Sequence, residues 1–89
     1  MSSVQLGPDL GIEYAPELKE LLAPLLAQPE PVVIAADPVG KVHTAGLQVL
    51  CAFIRDRRQA GLATRLEPCA ESLKDAAGRL GLSAELGIA

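Results

Sequence analysis

The stretch that decides the fold is PVVIAADPVGKVHTAGLQVLCAFI, Pro31 to Ile54. It opens with an unbroken run of β-branched and small apolar residues between prolines. Such a run, without the polar alternation of a strand that has one wet face, predicts a strand over Pro31–Ala36 buried on both sides. Asp37-Pro38 and Gly40 then mark a loop. From Thr44 the apolar spacing changes to that of a helix. Leu47, Leu50, Cys51, Ile54 and Arg58 recur on one side as far as about Gln59, and Gly61 supplies a C-terminal stop.

Working outward, SVQLG (Ser3–Gly7) alternates polar and apolar residues and reads as a half-buried strand, ended by Gly7-Pro8. GIEY (Gly11–Tyr14) reads as a second short strand. APELKELLAPLLAQ (Ala15–Gln28) carries Leu18, Leu21, Leu22, Leu25 and Leu26 at helical spacing, with Glu17 and Glu20 suited to a helix N-terminus. Pro24 lacks a backbone donor and should kink or shorten that helix. LATRLEP (Leu62–Pro68) alternates again, as a strand. CAESLKDAAGRLGL (Cys69–Leu82) is a third amphipathic helix, with Leu73, Ala76, Ala77 and Leu80 inward and Gly81 at its end.

The order β-β-α-β-α-β-α implies an α/β fold: a mixed, largely parallel sheet of about four to five strands with right-handed crossovers and helices packed on one face. The chain has 89 residues and a net charge of −3, which is the size of one small domain spanning residues 1–89. It contains one Phe, one Tyr and no Trp, so its core must be aliphatic. There is no basic cluster or aromatic ladder for phosphates or bases, which argues against a nucleic-acid partner. The first eleven residues have neither the basic start nor the apolar run of a signal peptide. VHTAGLQVLCAFI falls short of the roughly 20 residues of a membrane span, so no membrane insertion is expected. Cys51 and Cys69 form no CxxC pair, and two scattered thiols point to reduced cysteines in the cytoplasm.

Several kinds of chemistry are disfavoured by the pattern. VGKVHT is no phosphate loop, because Ala35 stands at the first glycine position and Val42 follows Lys41. One His and two distant Cys do not supply three or four metal ligands, so neither metal nor cofactor is expected. His43 and Thr44 are adjacent, and adjacent side chains of an extended segment point apart, which disfavours a catalytic pair. Cys51 lies mid-helix among apolar residues, where a thiol packs as a small hydrophobe.

Thr44 stands at the expected N-cap, where its hydroxyl would accept a bond from a first-turn amide. A phosphate on the same hydroxyl would sit at the positive end of the helix dipole and add about two negative charges. From position alone, plain capping and a switch both remain open. Thr44, Gln48, Ala52, Arg55 and Gln59 follow one another by steps of three and four along one helix stripe. That stripe reads equally as a solvated face or a docking face.

The motif His43-Thr44-Ala45-Gly46-Leu47, after a buried strand and a short loop, resembles the STAS domain family. Its members include bacterial anti-sigma factor antagonists and the MlaB-like subunits of a lipid-asymmetry transporter. The element order matches over almost the whole chain, and the specific motif covers some fifteen residues. The family carries Asp before the hydroxyl residue and often Asp at the end of the buried strand; here these positions hold His43 and Ala35. The resemblance implies a non-enzymatic protein-binding module with Thr44 as phospho-acceptor and His43, Thr44, Gln48, Arg55 and Gln59 in the docking face. The implied partner is an anti-sigma kinase-like ATPase. The alternatives are an ABC phospholipid-transport ATPase, with the chain as its MlaB-like regulatory subunit, and a chemotaxis or signalling array, with the chain as adaptor.

Overall fold

A computed structural model describes residues 2–88. Three strands, β1 (Ser2–Gln5), β3 (Val32–Ala36) and β5 (Thr64–Cys69), form one parallel sheet in the order β1-β3-β5. Two shorter strands, β2 (Asp9–Leu10) and β4 (Lys41–Val42), make a second parallel ladder beside it. The helices are α1 (Ala15–Leu22), α2 (Thr44–Gln59), α3 (Glu71–Arg79) and α4 (Ser83–Leu86). Among the described residues five strands form, at the upper end of the four to five expected; they divide between two ladders, and β4 is not one of the segments expected to be strands.

The run expected to be a central strand lies between β1 and β5, in register Val4↔Ile34↔Leu66. Its two faces differ, against expectation. Val32, Ile34 and Ala36 are fully buried, whereas Val33 and Ala35 are only half-buried. Helices cover one face; on the other, Val33 has Ser3 and Arg65 as its cross-strand neighbours, and both are exposed. β5 carries an irregularity between the Ile34↔Leu66 and Ala36↔Cys69 pairs, which is where Pro68, unable to donate to a ladder, is accommodated.

Local signals account for most element ends. Pro24 stops α1 at Leu22, and Ala23–Leu25 tightens into a 3-10 turn. α2 spans the expected Thr44–Gln59, and Gly61 follows it at φ +76°. GIEY does not form a strand: Ile12–Tyr14 is a 3-10 turn, and the pairing strand lies just before it at Asp9–Leu10. The reason is local, since the Asp9 carboxylate accepts the Gly11 N–H at 2.7 Å and bends the chain there.

The inward side of α2 also differs from its simple period. Leu47, Leu50, Phe53, Ile54 and Arg57 are buried, while Cys51 is half-buried and Arg58 exposed. Arg57, at 0% exposure, is a polar keystone. Its guanidinium donates to the carbonyls of Leu25 (2.8 Å), Gln28 (2.9 Å), Glu30 (3.0 Å) and Ala63 (2.8 Å), and to the Thr64 hydroxyl (2.7 Å). It thereby gathers backbone carbonyls where α1 unwinds towards β3 onto one buried donor group. Burial pushes the Arg57 pKa down from its ordinary value. Arg58 turns outward and donates to the Glu85 carbonyl at 2.8 Å. Leu80, expected inward, is 46% exposed. α3 ends at Arg79, so Leu80 leaves the helical stripe just before Gly81 reverses the chain at φ +70°.

Candidate functional site

The site is the start of α2 and the backbone that holds it. His43 is extended (φ −118°, ψ 151°) and its N–H donates to the Leu10 carbonyl at 3.0 Å. Its own carbonyl accepts the Leu47 N–H at 3.2 Å, and its Nδ1 accepts the Ala45 N–H at 3.1 Å. His43, not Thr44, is therefore the N-cap. A cap residue needs non-helical dihedrals and a side-chain acceptor that reaches two or three residues on, and His43 meets both conditions. Nδ1 can accept only while it carries no proton, so the cap assigns the ring proton to Nε2.

Thr44 is consequently the first helical residue, exposed, and among the described residues its hydroxyl has no hydrogen-bond partner. This corrects the expectation that Thr44 caps the helix. An aspartate in place of His43 would put a carboxylate at the same cap, so the histidine retains the capping chemistry without the charge.

Gly46 is where the motif meets the rest of the fold. A Cβ there would lie 2.7 Å from the Leu10 carbonyl oxygen and 3.2 Å from the Leu10 Cβ. The same carbonyl thus receives the His43 N–H and closes over Gly46, which makes glycine a packing requirement at that position. The loop before the motif is also tied down. Gly40 and Lys41 N–H groups donate to the Pro8 carbonyl (2.8 and 3.1 Å), and Ser72 Oγ donates to the Val39 carbonyl at 2.7 Å. Leu10, Ser72 and Arg57 escape a reading of sequence because each acts on residues about 30 positions away. The spacing of Gly46 after a helix start was the one visible sign of close packing.

Of the expected docking stripe, Thr44, Gln48, Arg55 and Gln59 are exposed and Ala52 is half-buried. Arg55 Nε lies 4.0 Å from the Asp56 carboxylate, both well exposed, a pair too long and too solvated to fix the side chain. Gln48 and Ala52 also form one lip of a groove of about 620 Å³ between α1 and α2, with Leu22, Leu26, Val49 and Phe53 in its walls. The face is therefore a polar stripe beside an apolar groove. Ala35 is half-buried on the uncovered sheet face, paired with Gln5.

The cysteines are not activated. Burial pushes the Cys51 thiol pKa up, the Glu85 carboxylate adds to this, and Arg55 opposes it in part. Burial likewise raises Cys69, with Lys74 opposing and Glu71 reinforcing. Among the described residues no group of three or more His, Cys, Asp or Glu side chains is placed to hold a metal ion. Among the described residues no helix is long and apolar enough to cross a membrane.

Comparison with solved structures places this architecture. A sulfate transporter family protein from Wolinella succinogenes superposes with a TM-score of 0.78 at 20% identity, over 97% of this chain and 70% of that one. The fold is STAS-like. No protein-family model matches the chain, and no curated protein matches it in sequence.

Proposed function

We propose that the chain is a non-enzymatic STAS-type binding module of the cytoplasm whose α2, from Thr44 onward, docks a protein partner as an anti-sigma factor antagonist docks its kinase. The observation that carries this reading is the division of labour at the helix start. His43 does the capping, so the Thr44 hydroxyl is exposed and unbonded at the positive end of a 16-residue helix. Phosphorylation at Thr44 Oγ1 by an ATP-dependent kinase would leave the His43 cap in place. It would add charge where the dipole and free first-turn amides tolerate it. Unphosphorylated Thr44 with Gln48, Arg55 and Gln59 is the binding face; the phosphate repels the partner.

A second reading, an MlaB-like regulatory subunit on a transporter ATPase, is favoured by the apolar groove beside the stripe. A groove of that kind suits a lasting interface with no need of a switch. Capture of partners from the native host followed by calorimetric titration separates the two. For a switch, Thr44→Glu and Arg55→Glu each weaken binding by about tenfold or more, equivalent to about 1.4 kcal/mol, while Thr44→Ala stays close to wild type. For a lasting interface, Thr44→Glu has little effect and Ala52→Glu, at the groove lip, has a large one. Unchanged affinity in all four variants places the interface elsewhere.

A further inference from the structure

We infer that the chain self-associates head to tail, with the Arg79-Leu80 turn at the end of α3 of one copy seated in the cleft between α1 and the β1–β2 loop of the next. The cleft, of about 430 Å³, has Leu6, Leu10 and Leu18 as its buried floor. Tyr14 and Leu21 form its rim, at 41% and 44% exposure. These are two of the large apolar side chains that the molecule leaves in water, Tyr14 from the turn just before α1 and Leu21 from α1 itself, and both line the cleft. Among the described residues the charged side chains lining the cleft are Asp9 and Glu17, with no basic one. Asp9 already accepts the Gly11 N–H, so Glu17 is the free carboxylate.

The complementary shape is on the same chain. Leu80, at 46%, is the most exposed large apolar side chain among the described residues, and the exposed Arg79 stands beside it. Gly78 and Gly81 flank the pair, and Gly81 turns the chain at φ +70°, so no bulky neighbour shields the leucine. One apolar side chain with a cation beside it matches one apolar cleft with a carboxylate on its rim. No residue of α3 lines the cleft, so one molecule does not make this contact with itself. The two patches differ, which makes the contact heterologous: it propagates or closes into a ring. The Thr44 stripe takes no part in it, so this association stands or falls apart from the proposed partner binding.

The test is sedimentation velocity of the full chain between about 20 and about 1,000 µM, the range suited to a small interface. Wild type should show a sedimentation coefficient that rises with concentration, and salt at about 0.5 M should reduce the rise. Leu80→Glu removes the knob and Leu21→Glu spoils the cleft; each alone should remain monomeric. Mixed, they should form a 1:1 dimer that grows no further, because each supplies the half the other lacks. If either variant fails to fold by circular dichroism, the charge exchange Glu17→Arg with Arg79→Glu replaces it. Each of those should lose at least about fivefold in association, and the double variant should recover it. A monomeric wild type at every concentration overturns the proposal. So does association that survives Leu80→Glu or Leu21→Glu, or a mixture in which no dimer forms.

Discussion

Replacing Arg57 by methionine isolates what the buried guanidinium does, because the stem and its packing are kept and the donors are lost. The group makes five hydrogen bonds of 3.0 Å or less, four of them to backbone carbonyls of Leu25, Gln28, Glu30 and Ala63. At about 0.5–1.5 kcal/mol for each bond the gross loss is several kcal/mol. Two effects reduce it: the desolvation cost of a buried cation disappears, and water can reach the partly exposed segment after α1. The expected net loss is about 3 kcal/mol. A domain of 89 residues has on the order of 4–13 kcal/mol in total, so this is a large fraction. The melting temperature should fall by about 15 °C. Arg57→Lys keeps a charge but offers three donors from a single nitrogen, which cannot span carbonyls on both sides, and should recover less than half the loss. Urea unfolding followed by far-ultraviolet circular dichroism measures all three proteins. Hydrogen exchange should show protection lost first between Leu25 and Glu30. An Arg57→Met loss below about 1 kcal/mol would refute the keystone role, and full rescue by lysine would show that charge, not the planar fork, is what the site needs.

At the start of α2, His43→Ala should cost about 1 kcal/mol in thermal or urea unfolding and Thr44→Ala less than half of that. His43→Asp should equal or exceed wild type; the reverse ranking of the two alanine variants would return the cap to Thr44. Gly46→Ala forces a Cβ against the Leu10 carbonyl at 2.7 Å. The clash, about 1–3 kcal/mol, should outweigh the better helix propensity of alanine, about 1 kcal/mol, and shift the His43 amide resonance. For the cysteines, burial raises both thiols above the ordinary value of 9.0 in the folded chain, so the unfolded chain ionises first. Their contribution to stability is therefore present below that ordinary value and lost as pH rises through the raised folded values. Alkylation by iodoacetamide should accordingly set in at higher pH for the native protein than for the urea-unfolded one; coincident profiles would contradict the burial.

Much of the fold was legible because it rests on short-range physics. The β-branched run at Val32–Ala36, the helical spacing over Thr44–Gln59, the break at Pro24 and the left-handed glycines after α2 and α3 are all local preferences. The outward stripe of Thr44, Gln48, Arg55 and Gln59 followed from the same period. Tertiary structure decided each choice between neighbours. His43 rather than Thr44 caps α2 because the Leu10 carbonyl, from a strand 33 residues earlier, holds His43 extended. Arg57 rather than Arg58 turns inward because the Leu25, Gln28 and Glu30 carbonyls of the segment after α1, which accept its guanidinium, lie on that side. Val33 and Ala35 keep partial exposure because helices cover one sheet face only, and Leu80 stands in solvent because α3 ends one residue before it. A helical or strand period places a side chain to within one position. Which of two adjacent residues takes the role depends on polar groups and close contacts that reach it only once distant segments have packed.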